Sequence, residues 1–261
     1  MPRAEQPGPS KRRLRDRDVD ASGGVRPTSP PRLSTGAASL LRGAGSKARA
    51  WLQPIWVPDA AAPLYVQILL LVAYATCVLL REPGVVLQPR MWAEEATVYF
   101  AGALNAGPFA IVAPHQGYLS LFANAATFAA TLVPRASAAS VTTTFAFMGQ
   151  MVPAFILVRS RSAAVAHPAA RVLALACLAA SPAATGEIWL NSINTQVFFT
   201  VSVALLAVDP GWSLTRGLAL ALMVLSSPVS GLLIPFFVMR AWVMRHAMAA
   251  AVPAAALALQ V

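Results

Sequence analysis

Carboxylates are scarce in this chain. Ten Asp and Glu stand against twenty Lys and Arg in 261 residues, and only five lie beyond residue 60: Glu82, Glu94, Glu95, Glu187 and Asp209. Charged residues of both signs make up 11%, where a soluble domain carries about a quarter. Hydrophobic residues reach 57% and mean hydropathy is +0.61. That shortage of charge excludes an ordinary cytosolic domain. Cysteine is nearly absent too. Cys77 and Cys177 fall inside apolar runs, where Cys acts as a small hydrophobe, so neither a disulfide framework nor a cysteine metal site is expected. P-loop, GxGxxG, HExxH and nucleophile-elbow patterns are missing, as is the strict alternation of membrane β-strands.

Long uncharged runs are what the chain does have: 64–80, 136–158, 172–186, 188–208 and 217–239. A helix crossing a bilayer needs about 20 mostly apolar residues, with a range of about 17–25, and only helices and closed barrels satisfy their backbone in lipid. The reading is therefore all-α, a polytopic transmembrane helical bundle behind a disordered basic tail. Residues 1–60 form the tail, rich in charge, Pro, Gly and Ser and too poor in large apolar residues to order. Residues 61–261 form the membrane domain, with about six or seven membrane segments. The last apolar segment stops abruptly at Val261, which leads us to expect a truncated chain.

The net charge of +10 does not point to nucleic acid, because eleven of the twenty basic residues precede residue 50. Basic residues before a first membrane helix anchor it in the cytoplasm and can meet anionic lipid. Trp51 and Trp56 suit the headgroup region at that interface. The segment 81–97 then falls outside, carrying Glu94 and Glu95 with it. Residues 117–133 read as a membrane helix, and 98–113 either cross or lie in the interface. Arg159, Arg161, His167 and Arg171 favour the cytoplasm, which requires 98–113 to cross; if it lies flat, that cluster faces outside. Further helices are expected at about 138–158, 172–186 and 190–208. The run 214–239 is interrupted by "SSPVSG", giving a kink or two half-helices. Arg159, Arg161, Arg171, Arg240 and Arg245 read as topology markers, and Ser226, Ser227 and Ser230 as relief for the broken helix.

Two polar groups carry the candidate chemistry. In "MWAEEATVYF" adjacent glutamates point about 100° apart on a helix, so one can face a cavity while the other faces water or Arg90. Partial desolvation would raise a carboxylate's pKa and make it a better proton acceptor. Glu187, Asn191, Asn194 and Gln196 form the second group. Spacings of three and four put Glu187, Asn191 and Asn194 on one helix face, facing either a water-filled cavity or neighbouring helices. His115, Gln116 and Tyr118 in "APHQGYL" stand between them, at a turn before a membrane helix.

The stretch "PRMWAEEATVYFAGALNAGPFAIVAPHQGYLSLF" resembles polytopic glycosyltransferases of the GT-C superfamily, especially bacterial members with W-x-E-D/E-x-x-x-F followed by P-x-x-G-Y-L. "GEIWLNSINTQVFF" and "SSPVSGLLIPFF" resemble two later elements of the same group, the second with its residue order altered, and the three stretches follow one another in the family's order. The likeness covers residues 60–240, about the N-terminal half of a typical member. Departures are a Glu for the usual second Asp, Phe198 where the family has Trp, and no C-terminal half. The resemblance implies an enzyme of a bacterial inner membrane, with a cytoplasmic N-terminus, that moves a sugar from a polyprenyl-phosphate donor to an envelope acceptor outside. It implies Glu94 or Glu95 as the catalytic carboxylate, or as ligand to a divalent cation, Mg²⁺ or Mn²⁺, whose oxygen preference they suit. His115, Gln116, Tyr118, Glu187, Asn191, Asn194 and Gln196 are the candidate substrate contacts. A transporter or flippase for a lipid or small solute, and a non-catalytic fragment of such a transferase, are the alternative readings.

Overall fold

The computed structural model describes residues 46–48, 50, 62–181 and 188–260. The basic tail with Trp51 and Trp56, and Glu187, lie outside the described residues. What is described is all-α apart from one short hairpin. Helix α1 (Leu64–Arg81) is an unbroken aliphatic run. It ends where Pro83 disfavours helical geometry in the preceding residue, with Glu82 at φ −131°, ψ 66°. A short α2 (Pro83–Leu87) follows. A π-helical turn (Glu95–Phe100) then runs into α3 (Ala101–Ala106) and a 3-10 segment (Gly107–Val112). The strands β1 (Pro114–His115) and β2 (Tyr118–Leu119) pair antiparallel, His115 opposite Tyr118. Beyond them lie α4 (Leu121–Thr131), α5 (Arg135–Arg159), α6 (Pro168–Ala180), α7 (Thr195–Val208), α8 (Leu214–Leu225), a 3-10 segment (Pro228–Leu233), α9 (Ile234–Met244) and α10 (Met248–Ala258).

Two of these helices, α1 and α5, are long and apolar enough to cross a membrane, with mean hydropathies of 1.9 and 1.6; the other apolar helices have 10–17 residues. Along α1 only Tyr74 and Val78 are buried, while Leu64, Tyr65, Ile68, Leu69, Val72 and Leu80 are exposed. A face of that composition is costly in water. Helix α5 is the central post. At Gly149 an added Cβ would stand 2.1 Å from Thr195 Cγ2 at the start of α7, so the missing side chain is what lets the two backbones approach.

Contacts along α5 define two ends. Near its start, Leu79 of α1 and Leu190 pack beside Ser140, Thr143 and Thr144. There Trp189 Nε1 donates to Val78 O at 3.0 Å, Arg81 lies 4.5 Å over the Trp189 ring, and Arg81 Nη2 donates to Ser181 O at 2.9 Å. At its finish, Ser160 O accepts from Arg171 Nη2 at 3.0 Å, and Pro63 at the start of α1 sits near Pro168 and Arg171. Helix α7 runs from the first end to the second, closing at Asp209, whose carboxylate accepts from Arg161 N at 3.3 Å.

Residues 93–131 leave the first end and return to it. Helix α4 folds back antiparallel on the start of α5, with the Phe122 and Phe145 rings 5.7 Å apart. At about 1.5 Å per residue its 11 residues span about 16 Å, well short of a bilayer core of about 30 Å. This corrects the expected membrane helix over 117–133: a hairpin occupies its first turn. Neither 98–113 nor 117–133 traverses the fold, so Arg159, Arg161 and Arg171 share an end with the start of α1.

The interruption at 226–231 is a true break. Ser226 Oγ donates to Leu222 O at 2.8 Å and accepts from Phe122 N at 3.0 Å. Ser227 Oγ donates to Gln196 O at 2.9 Å and meets Thr200 Oγ1 at 2.7 Å. Ser226 and Ser227 therefore satisfy backbone groups around the break, whereas the buried Ser230 hydroxyl meets no partner among the described residues. Arg171 and Arg240 are more than charge markers: both are buried. Arg171 Nε donates to Val165 O at 2.7 Å, and Arg240 donates to Leu206 O at 2.6 Å and Gly211 O at 3.1 Å.

Candidate functional site

Glu95 is buried, 1% exposed, and its carboxylate ties two chain segments together. Oε2 accepts from Trp92 N at 3.3 Å; Oε1 accepts from Ser192 N at 3.3 Å and from the Ser192 hydroxyl. Thr142 of α5 lies alongside. Burial pushes this carboxyl above its ordinary range, and the hydrogen bonds from Ser192 and Trp92 only partly oppose that. Glu94, one residue back and about 100° around the helix, is exposed.

Glu94 lines a cleft of about 240 Å³, with Trp92 and Ala93 on its own wall and Asn191, Ile193 and Asn194 opposite. Glu94 of the first polar group and Asn191 and Asn194 of the second thus meet in one cleft, although almost a hundred residues separate them. The helix-face reading of Asn191 and Asn194 is corrected. Residues 188–194 are turns, and α7 starts only at Thr195. Asn191 Oδ1 accepts from Ile193 N at 2.9 Å, an Asx-type turn that competes with helix, and Leu190 is left-handed at φ +51°. The turn, rather than helical spacing, aims both asparagines at the cleft. Gln196 lies on α7, where its carbonyl accepts from Ser227 and Thr200 at the helix break. It does not line the cleft.

His115 and Tyr118 face each other across the hairpin, whose central residues Gln116 (φ +53°) and Gly117 (φ +86°) both have positive φ, as a type I′ turn requires. Gln116 is exposed. The His115 ring lies 4.5 Å from the buried Tyr99 ring, and burial holds its imidazole below the ordinary value, so it is neutral at pH 7. Tyr99, buried on the turn that follows Glu94 and ring to ring with His115, links the hairpin to the acidic site. The π-helical turn allows this: its i→i+5 pattern sets residues 94 and 99 on one face. Ser192, Trp92, Tyr99 and Thr142 escaped the sequence reading. A Ser after Asn in a predicted helix, and a Tyr five residues after Glu94, were the available signals.

Among the described residues no group of three or more His, Cys, Asp or Glu comes together. With Glu95 engaged by Ser192 and Trp92, Glu94 is the carboxylate that faces the cleft among the described residues. The arrangement can accept a proton at Glu94 and offer amide groups to a polar ligand beside it. No family model, curated protein or solved structure matches this chain.

Proposed function

We propose that the chain is a polytopic protein of a bacterial inner membrane, with the Asp209 end in the cytoplasm and the Glu94 cleft outside, and that it transfers a sugar from a polyprenyl-phosphate donor to an envelope acceptor. The observation that carries this reading is the meeting of Glu94 with Asn191 and Asn194 in one cleft, since those residues belong to two of the three stretches that resemble GT-C glycosyltransferases. Distance supports the placement. From Thr142, beside Glu95, to Ser160, beside Asp209, α5 rises about 27 Å at about 1.5 Å per residue, close to the hydrocarbon thickness of about 30 Å.

Glu94 accepts the proton of the acceptor hydroxyl as that oxygen attacks the anomeric carbon. The bond from that carbon to the phosphate oxygen breaks, and the carrier phosphate leaves. Asn191 and Asn194 orient the sugar or the phosphate through their amides. Glu95 positions: it fixes the turn at 192 against residue 92. In the alternative role, Glu94 would hold a Mg²⁺ or Mn²⁺ ion in place of acting as the base, and the ion would supply charge neutralisation at the donor phosphate. A transporter is the competing reading, favoured by the polar junction of Gln196, Thr200 and Ser227 at the broken helix.

Envelope glycans compared by mass spectrometry in a deletion strain, complemented with native or Glu94→Gln protein, test the proposal. One sugar lost in the deletion, restored by native protein and not by the variant, is the expected result. Full restoration by Glu94→Gln would remove the carboxylate from the chemistry. An unchanged glycan profile in the deletion would favour transport.

A further inference from the structure

At the end of α5 opposite the glutamates, α5, α7 and α8 enclose a second groove, of about 230 Å³. Val152, Phe155, Ile156, Leu206 and Ala219 line it, and Arg159 and Arg216 stand at its mouth. From Val152 to Arg159 the groove follows α5 for about 10 Å at about 1.5 Å per residue. Its walls are apolar and its rim is cationic. Arg216 pairs with Asp209, but Arg159 is exposed and has no carboxylate partner among the described residues; its guanidinium lies 5.1 Å over the Phe155 ring. The single carboxylate of Asp209 faces the guanidinium groups of both Arg216 and Arg240, so with Arg159 this end carries an uncompensated positive charge.

We infer that this groove binds one acyl chain of an anionic glycerophospholipid, with the lipid phosphate on Arg159. A guanidinium offers paired donors that match phosphate oxygens, and a juxtamembrane cation gains further from an anionic leaflet. The lipid belongs to the leaflet at the start of α1, opposite the leaflet of the proposed sugar transfer. The groove is separate from the Glu94 cleft, so the site needs no sugar chemistry; it rests only on the membrane placement proposed above.

The test is native mass spectrometry of the full chain, purified in detergent with equal amounts of dioleoyl phosphatidylglycerol and dioleoyl phosphatidylcholine. Phosphatidylglycerol should be retained at least fivefold over phosphatidylcholine. Arg159→Gln should abolish the preference, Arg159→Lys should keep part of it, and Ala219→Phe, which fills the groove, should lower retention of both lipids. Millimolar glycerol phosphate should not displace the lipid. Equal retention of the two lipids, or an unchanged preference in Arg159→Gln, overturns the proposal. Displacement by glycerol phosphate with no effect of Ala219→Phe also overturns it, in favour of a free-phosphate site. Thermal unfolding of each variant checks folding, and Ala219→Leu replaces Ala219→Phe should the latter not accumulate. Release of the protein from cells without detergent would instead refute the membrane placement itself.

Discussion

The two ends of α5 each bury a carboxylate, and they treat it in opposite ways. Glu95 is held by neutral donors, the hydroxyl and N–H of Ser192 and the N–H of Trp92, and its pKa rises. Burial alone would raise Asp209 too. There, however, Gly211 N at 3.0 Å, the Ser160 side chain and the Arg216 guanidinium outweigh it and hold the carboxyl below its ordinary range. Burial is common to both, so the partners decide the sign. One end shifts its carboxyl toward the protonated form and the other shifts its own toward the charged form.

The largest way to break this contrast is Asp209→Ala. Removing one member of a buried ion network leaves uncompensated charge, here the buried Arg240, at a cost of about 3–5 kcal/mol. Because Arg216 is partly exposed, we expect the lower end of that range, read as a fall in thermal unfolding temperature in detergent. Glu95→Ala should cost less. It leaves neutral N–H donors unpaired, at about 1–3 kcal/mol, and it should loosen the 188–194 turn, visible as faster amide exchange there.

Acidity should separate the ends further. Glu95 binds its proton more tightly folded than unfolded, so its contribution is full below the ordinary value of 4.5 and lost as pH rises through the raised one. Asp209 contributes fully above its ordinary value of 3.8, and that contribution is lost as pH falls through the depressed one. Comparing unfolding temperature against pH, Glu95→Gln should flatten the decline on the alkaline side, and Asp209→Asn the decline on the acid side. The smallest structural effect belongs to Glu94→Gln. As an exposed substitution it should change stability by less than about 0.5 kcal/mol while reducing the proposed sugar transfer about 10²–10⁴-fold. A parallel loss of stability would mean that Glu94 holds the fold rather than serving the cleft.

Much of the frame was legible in the sequence because charge is so sparse. The uncharged runs 64–80 and 136–158 became α1 and α5 almost to the residue, and "SSPVSG" broke its helix as Pro and the neighbouring serines dictate. Hydropathy failed at 117–133, since apolarity does not distinguish a crossing helix from a hairpin followed by a short one. Periodicity failed at 188–194, where Asn191 bonds its own backbone and overrides the helical spacing. The buried roles of Arg171 and Arg240 were hidden for a related reason. Their partners are backbone carbonyls, which no residue type announces. The pairing of residues 91–95 with 191–194 was legible only through the order of the motifs. Glu95 as anchor and Glu94 as the exposed group became clear once Ser192 was in place.

In the proposed topology the two ends of α5 lie on opposite sides of a membrane. Single cysteines answer this directly: Ala93→Cys beside the cleft and Arg161→Cys beside Asp209, each with Cys77 and Cys177 replaced by Ser. Intact cells are treated with a membrane-impermeant maleimide and compared with permeabilised cells. Labelling at 93 in intact cells, and at 161 only after permeabilisation, is the predicted result. Equal labelling of both positions in intact cells, or labelling of 161 alone, would contradict it.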